Sequence, residues 1–331
     1  MKQTERATTQ AGHRFTPRAR PADSPLALPA ELTESAQKQD RPVQLTQSTL
    51  SALLDSPDAG MRAGPVAMIF DEDGVALAET LAHALRIGFR RVLLFSAQPP
   101  LLDHPDADRV RVIPERLATP AEVFERVNQV IAALPGTWLH YGYNAEFLIY
   151  PFFETRSVAE LLTFHTEEQR QSMLTYTIDL YAGDLTTHPN GVDLDSCYMD
   201  KAGYYAEIRH DRDGTALDRQ WDFRGGLRWR FEEHVSPARR KIDRISLFLA
   251  KPGLKLLPDH TLNDAEMNTV GCMWHHNITA CLCSFRAAKA LRANPGSRDG
   301  LDTFVWPNST RFGWTSQELM DLGLMEPGQW F

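Results

Sequence analysis

The chain has 331 residues, 43% of them hydrophobic and 24% charged, with a formal net charge of −8. That length holds a full core, and the negative balance disfavours non-specific nucleic-acid binding. No run of 18 or more apolar residues occurs, so no membrane-spanning helix is expected, and Met1–Glu5 has no apolar stretch of the kind a secretory signal carries.

Residues 1–45 are rich in Gln, Thr, Pro, Arg, Ala and Ser and show little periodicity, which predicts a mobile tail. Arg14, Arg18 and Arg20 within it suit either a solvated segment or a contact with an anionic surface. A short helix is expected over Leu45–Leu54, opened by Thr46 or Ser48. Val66–Phe70 is a continuous apolar run, as in a strand covered on both faces. Asp71-Glu72-Asp73-Gly74 follows. Val75, Leu77, Leu81, Leu85 and Ile87 then recur at near-helical spacing, and Gly88 closes that helix. Arg91–Ser96 and Val110–Ile113 read as further strands. Pro120 opens a helix whose apolar stripe is Val123, Phe124, Val127, Val130, Ile131 and Leu134. Trp138–Tyr143 is the fourth strand. Its end carries Asn144-Ala145-Glu146, followed by the apolar Phe147–Tyr150.

Alternation of this kind predicts an α/β fold, a Rossmann-like mostly parallel sheet with helices on both faces. Ligands of such sheets bind beyond the carboxyl ends of the strands. Those ends place Asp71, Glu72, Asp73, Ser96 and Asn144 as candidates to bind a ligand such as a nucleotide, with Glu146 next to them. The acids of residues 71–73 also suit the N-terminus of the following helix, where the macrodipole favours negative charge.

Beyond Pro151 the pattern loosens. Ser157 and Glu160 form a capping-box signature for a helix reaching about Met173. Leu174–Tyr181 is strand-like. Residues 182–235 are loop-rich and carry many aromatics, Tyr198, Tyr204, Tyr205, Trp221, Phe223, Trp229 and Phe231, of which the stretch Trp221–Phe231 could form a platform on which a sugar ring stacks. Glu232 and Glu233 follow and are the candidate catalytic bases; exposed acids after a strand pair are the plainer reading. Ile242–Leu249 and Leu254–Leu257 are apolar pieces, and Ala280–Ala293 is expected to be helical. A last helix is opened by Thr315 and closed by Gly323.

Four cysteines occur: Cys197, Cys272, Cys281 and Cys283. Cys272-x-x-His275-His276 with Cys281-x-Cys283 contains zinc-ligand types, but on a helix Cys281 and Cys283 would face apart, which suits buried structural thiols better. With no disulfide framework suggested, a reducing cytoplasm is the expected setting. Neither a P-loop nor a G-x-G-x-x-G sequence is present.

Two stretches resemble the glycosyltransferase family 2-like proteins, which have the GT-A fold. Glu72-Asp73, Glu79-Thr80, His83-Ala84 and Gly88 before the strand Arg91–Ser96 follow that family's spacing of Asn-Glu, Glu-Trp, His-His and Gly. Tyr143-Asn144-Ala145-Glu146-Phe147-Leu148 is similar to its Asp-x-Asp-Glu-Phe-Leu, keeping Glu-Phe-Leu without the two aspartates. The likeness spans about Val66–Pro151; Lys251, His260 and Trp274-His275-His276 resemble a lysine and histidine further on in that family.

The resemblance implies a GT-A-like fold, with residues 46–151 as the nucleotide-sugar half and 152–331 as an irregular acceptor half of the same domain. It implies transfer of a sugar from a nucleotide-sugar donor, bound by Asp71, Glu72, Asp73, Ser96 and Asn144, to a saccharide acceptor, an envelope or capsule polysaccharide. It also implies Mg²⁺ or Mn²⁺ on the leaving diphosphate, with Glu146 and His276 as the remaining ligand candidates. The other expected partner is the inner membrane, by peripheral contact. A catalytically inactive relative that binds or scaffolds, and a zinc protein built on the Cys/His block, are the alternatives.

Overall fold

The computed structural model describes residues 44–270 and 277–330. The chain divides into units of residues 1–40 and 41–331, and every described residue belongs to the second. The arginines of the N-terminal segment and the block Cys272–His276 lie outside the described residues.

In chain order the elements are β1 (Thr46–Gln47), α1 (Leu50–Asp55), α2 (Ala59–Ala63), β2 (Val66–Phe70), α3 (Leu77–Arg86), β3 (Arg91–Phe95), β4 (Val110–Ile113), α4 (Pro120–Ala133), β5 (Trp138–Tyr143), β6 (Glu146–Ile149) and α5 (Val158–Glu167). There follow β7 (Ser172–Ala182), β8 (Cys197–Asp200), β9 (Tyr205–His210), β10 (Ala216–Arg224), α6 (Gly226–Arg230), β11 (Asp243–Leu249), β12 (Ala280–Ser284), α7 (Arg286–Ala293), α8 (Pro295–Arg298), β13 (Ser309–Arg311) and α9 (Ser316–Asp321).

The fold is mixed α/β around one large, mostly parallel sheet of order β1-β4-β3-β2-β5-β11-β7-β12-β6. The strands β1, β4, β3, β2, β5, β7 and β12 run one way; β11 and β6 run against them. β8 and β13 extend the sheet from the end of β7, and β9 pairs with β10 as a separate hairpin. Alternate residues of the first strands serve opposite faces, as a period of two requires. Ala67, Ile69, Val92 and Leu94 pack with Leu81 and Leu85 of α3 and Leu161 of α5. Met68, Phe70, Leu93 and Phe95 pack with Val127, Val130 and Ile131 of α4. Helices therefore cover both faces, which is why β2 is apolar at every position and β3 at every position after Arg91.

Local signals act as expected in several places. Thr119 and Glu122 form a reciprocal capping box at α4 with Pro120 in its first turn, and Ser157 and Glu160 do the same for α5. Gly88 closes α3 with φ of 99°.

Elsewhere pairing overrides local preference. The first helix starts at Leu50 under a Thr49 cap, because Thr46–Gln47 runs alongside β4 and the Ser48 amide donates to the Val112 carbonyl. α5 ends at Glu167, where Gln169 turns left-handed with φ of 58° and hands the chain to β7. Ala280–Ser284, expected as helix, is a fully buried strand held on both edges by β7 and β6, and the helix begins only at Arg286. Cys281 and Cys283 thus share one face of a strand instead of facing apart on a helix. No helix of the described residues is long and apolar enough to cross a membrane.

Candidate functional site

β2, β3 and β5 end level with one another: Phe70 pairs with both Phe95 and Tyr143. The residues just past these ends are therefore neighbours. Asp71 accepts from Ser96 Oγ at 2.7 Å and from the Gly74 amide at 2.7 Å. Asn144 is fully buried; its Oδ1 accepts from the Glu72 amide at 2.9 Å, and its Nδ2 donates to Asp73 at 2.6 Å and to the Val75 carbonyl at 2.9 Å. All five donor-binding candidates thus meet in one cluster, and their polar atoms knit the loop that leads into α3. Burial opposes ionisation of Asp73, but Lys289 at 2.8 Å and Asn144 hold its carboxyl below the usual range.

Glu146 begins β6 after a tight turn in which Ala145 is left-handed, with φ of 60°. Its side chain is 1% exposed. One carboxylate oxygen takes the Tyr143 amide at 3.1 Å and the guanidinium of Arg244; the other takes Ser284 Oγ at 3.1 Å, with Arg286 at 3.7 Å. Burial alone would raise the Glu146 carboxyl, but Arg244 and Arg286 outweigh it and bring it down to about 2. Burying such a pair costs several kcal/mol per ion unless hydrogen bonds offset it; Glu146 has partners on both oxygens, while Arg244 keeps Nε without a hydrogen-bond partner. Arg286 also grips Glu72 with two bonds of 2.8 and 2.6 Å and lies 3.6 Å over the Tyr143 ring.

This donor set does not fit a divalent cation. Glu146 and Asn144 commit their oxygens to protein donors, and two guanidinium groups stand where hard oxygen ligands would be needed. Among the described residues no group of three or more His, Cys, Asp or Glu is arranged to hold a metal ion. His276 lies outside the described residues.

Strand register adds a second acid. Ser284 pairs with Glu146 on one side and with Asp179 of β7 on the other. Asp179 Oδ2 accepts from the Leu227 amide at 2.8 Å, while Oδ1 is buried without a hydrogen-bond partner. Gly226 covers it with φ of 61°, and a Cβ there would stand 2.6 Å from Oδ2. Burial pushes the Asp179 carboxyl up to about 6, with Arg228 and the Leu227 amide opposing. Arg228 is itself lowered by burial and donates to the Lys241 carbonyl at 2.8 Å. Tyr204 OH and Arg244 Nε are likewise buried without partners, a concentration of unsatisfied polar atoms that calls for explanation. Nearby His140 and His260 are lowered to about 3 by burial and by Arg244, so both are neutral.

Other sequence candidates lie apart. Glu232 and Glu233 sit on an exposed 3-10 turn and pair with Arg240 at 3.1 Å and His234 at 3.7 Å; no polar contact ties them to the strand-end cluster. Trp221 and Phe223 of β10 line an apolar cavity of about 370 Å³ with Met173, Tyr176 and Ile278, toward the start of β7. Cys197, Cys281 and Cys283 are free and buried, and burial pushes the Cys281 thiol up to about 12, away from the thiolate that zinc requires.

Asp179, Arg228 and Arg244 escape a reading by motif. A signal for two of them exists: each is a charged residue inside an apolar strand, Asp179 in Leu174–Tyr181 and Arg244 in Ile242–Leu249. Such residues are rarely buried without a partner or a role. Comparison with known proteins adds no relative: no family model matches the chain, and no curated protein sequence is significantly similar to it.

Proposed function

We propose that this chain is a GT-A-like glycosyltransferase that moves a sugar from a nucleotide-sugar donor to a saccharide acceptor, an envelope or capsule polysaccharide made from the cytoplasmic side. One observation carries the reading. β3 and β4 lie on one side of β2 and β5 lies on the other, so the order in which strands are added reverses where Asp71 and Asn144 stand. Open α/β sheets bind their ligands at such a switch point, outside the carboxyl ends of the strands. Asp71, Glu72, Asp73, Ser96 and Asn144 frame the nucleotide there.

For the base we favour Asp179 over Glu232 and Glu233. It has a free oxygen and a carboxyl raised to about 6 by burial, and a general base works best near the operating pH. The acceptor hydroxyl gives its proton to Asp179. Its oxygen attacks the anomeric carbon, the bond from that carbon to the diphosphate oxygen breaks, and the nucleoside diphosphate leaves with the electron pair. Product release returns the proton to solvent.

A second reading, an inactive relative that binds donor or saccharide, is favoured by one fact: these polar groups are already satisfied within the protein, Asp71 by Ser96 and the Gly74 amide, and Asp73 by Asn144 and Lys289. A thermal-melting panel of UDP- and GDP-sugars, with and without Mn²⁺, followed by donor analysis over time, separates the two. The transferase raises its Tm with one donor and consumes it; the inactive relative raises its Tm and leaves the donor intact. If no donor shifts Tm under either condition, both readings fall.

A further inference from the structure

The metal position of the proposed transferase is filled by cations of the chain itself. Arg286 heads α7, and its guanidinium spans from the exposed Glu72 to the buried Glu146. Arg244 backs Glu146 and keeps a buried Nε free of any partner. Lys289, one turn along α7, reaches Asp73. Arg228 stands close enough to Asp179, Glu146, Arg244 and Arg286 for their charges to act on it. Three guanidiniums thus stand close to two buried acids, Glu146 and Asp179. With Glu72 displaced, the inner group carries excess positive charge in a largely buried place, where such charge acts strongly on an anion.

We infer that Arg286, supported by Arg244 and Arg228, binds the diphosphate of the donor in place of a divalent cation. Guanidinium forks match phosphate oxygens in pairs. Glu72 is the natural place-holder: it is a half-exposed carboxylate that occupies the outer edge of Arg286, and a phosphate displaces it by taking the same two N–H groups. When the glycosidic bond breaks, the negative charge gained by the diphosphate is met by groups already in position. The identity of the ligand as a sugar-nucleotide diphosphate rests on the transferase reading; the anion site rests on the side chains alone.

The test is calorimetric titration of the full chain with inorganic pyrophosphate in EDTA. Pyrophosphate is expected to bind at one site without metal, more weakly as salt is raised. Arg286→Gln weakens it about tenfold or more, the loss of a charge-assisted pair. Glu72→Gln tightens it several-fold, since the competing carboxylate is gone; a purely structural Arg286 would not produce that gain. Arg298→Gln, at an exposed residue whose one acidic partner among the described residues is Asp299, leaves binding unchanged. Binding that requires Mn²⁺ or Mg²⁺, or wild-type affinity in both Arg286→Gln and Glu72→Gln, overturns the inference. Metal-free pyrophosphate binding by a chain that takes no nucleotide sugar keeps the anion site and removes the transferase reading. A donor consumed only with Mn²⁺ keeps the transferase and removes the arginine site.

Discussion

The turn from β5 into β6 and the carboxyl-terminal part of β7 each bury one acid, and Ser284 pairs with both in the sheet. At the turn, Glu146 is held near pKa 2 because Arg244 and Arg286 overcome its burial. On β7, Asp179 rises to about 6 because burial overcomes Arg228. Depth is the same in the two regions; the number of donors is not. Glu146 has three direct hydrogen-bond donors, one of them a guanidinium, and a second guanidinium nearby, while Asp179 meets only the backbone amides of Leu227 and Arg228 and keeps Oδ1 without a hydrogen-bond partner. A saturated buried carboxylate is held ionised, and an unsaturated one is pushed toward its neutral form.

The widest gap between the regions should show when each acid is removed. Glu146→Ala leaves Arg244 buried without its counter-ion and should destabilise the fold by about 3–5 kcal/mol, read from urea denaturation at pH 7. A loss below about 1 kcal/mol would mean that Arg244 finds water or another acid, and the Glu146 side of the contrast would go.

Asp179→Asn should act in the opposite direction. A carboxyl whose folded pKa lies near 6, above the ordinary 3.8, weakens the fold as pH rises from about 4 to about 6, because the unfolded chain gives up that proton first. The variant should therefore gain about 2–3 kcal/mol over wild type at pH 8 and nothing at pH 3.5. Glu146 works in a separate window: its folded pKa is depressed from 4.5, so its contribution is present above about 4.5 and disappears as pH falls toward 2. If the transferase reading holds, Asp179→Asn also lowers kcat by about two orders of magnitude or more, whereas Glu232→Gln and Glu233→Gln leave it unchanged. Parallel stability curves for wild type and Asp179→Asn would mean that burial leaves the Asp179 carboxyl at its ordinary value, and the contrast with Glu146 would lose that side.

Much of this contrast lies beyond a single-sequence reading, for a physical reason. Alternation of strand and helix through Val66–Tyr143 is visible because both faces of the sheet need apolar residues and α4 announces itself with Thr119, Pro120 and Glu122. The donor-binding candidates meet as expected because consecutive parallel strands end level. Ala280–Ser284 is open to misreading as helix, since five small or apolar residues run straight into Arg286–Ala293, and only the free edges of β6 and β7 decide for a strand. The arginines around Glu146 come from β11 and α7, about 100 and 140 positions away. No local pattern records such a meeting; a lone charge in an apolar strand only warns that some partner exists.

The cover over Asp179 gives a smaller effect. Gly226→Ala places a methyl 2.6 Å from the Asp179 carboxylate in a left-handed conformation, which should cost about 1–3 kcal/mol. Because the clash is with the carboxylate, Asp179→Ala in the same chain should recover part of that loss, by a double-mutant cycle in urea. Full additivity would assign the cost to backbone strain alone.

Ser284→Ala separates the neighbours most finely. The Ser284 hydroxyl donates to Glu146 Oε1 at 3.1 Å and accepts from the Arg286 amide at 3.2 Å, yet makes no hydrogen bond to Asp179. Its removal should cost about 1 kcal/mol. In a carbon-13 titration of the labelled carboxyls, Glu146 should rise from its depressed value, since one donor to its charged form is gone, while Asp179 stays where burial holds it. The side chains of Arg244 and Arg286 remain, so Glu146 stays below the ordinary range. Equal movement of both acids would mean that they share one electrostatic environment across β12. Movement of Glu146 alone makes β12 the boundary between a saturated acid held ionised and an unsaturated one pushed toward its neutral form.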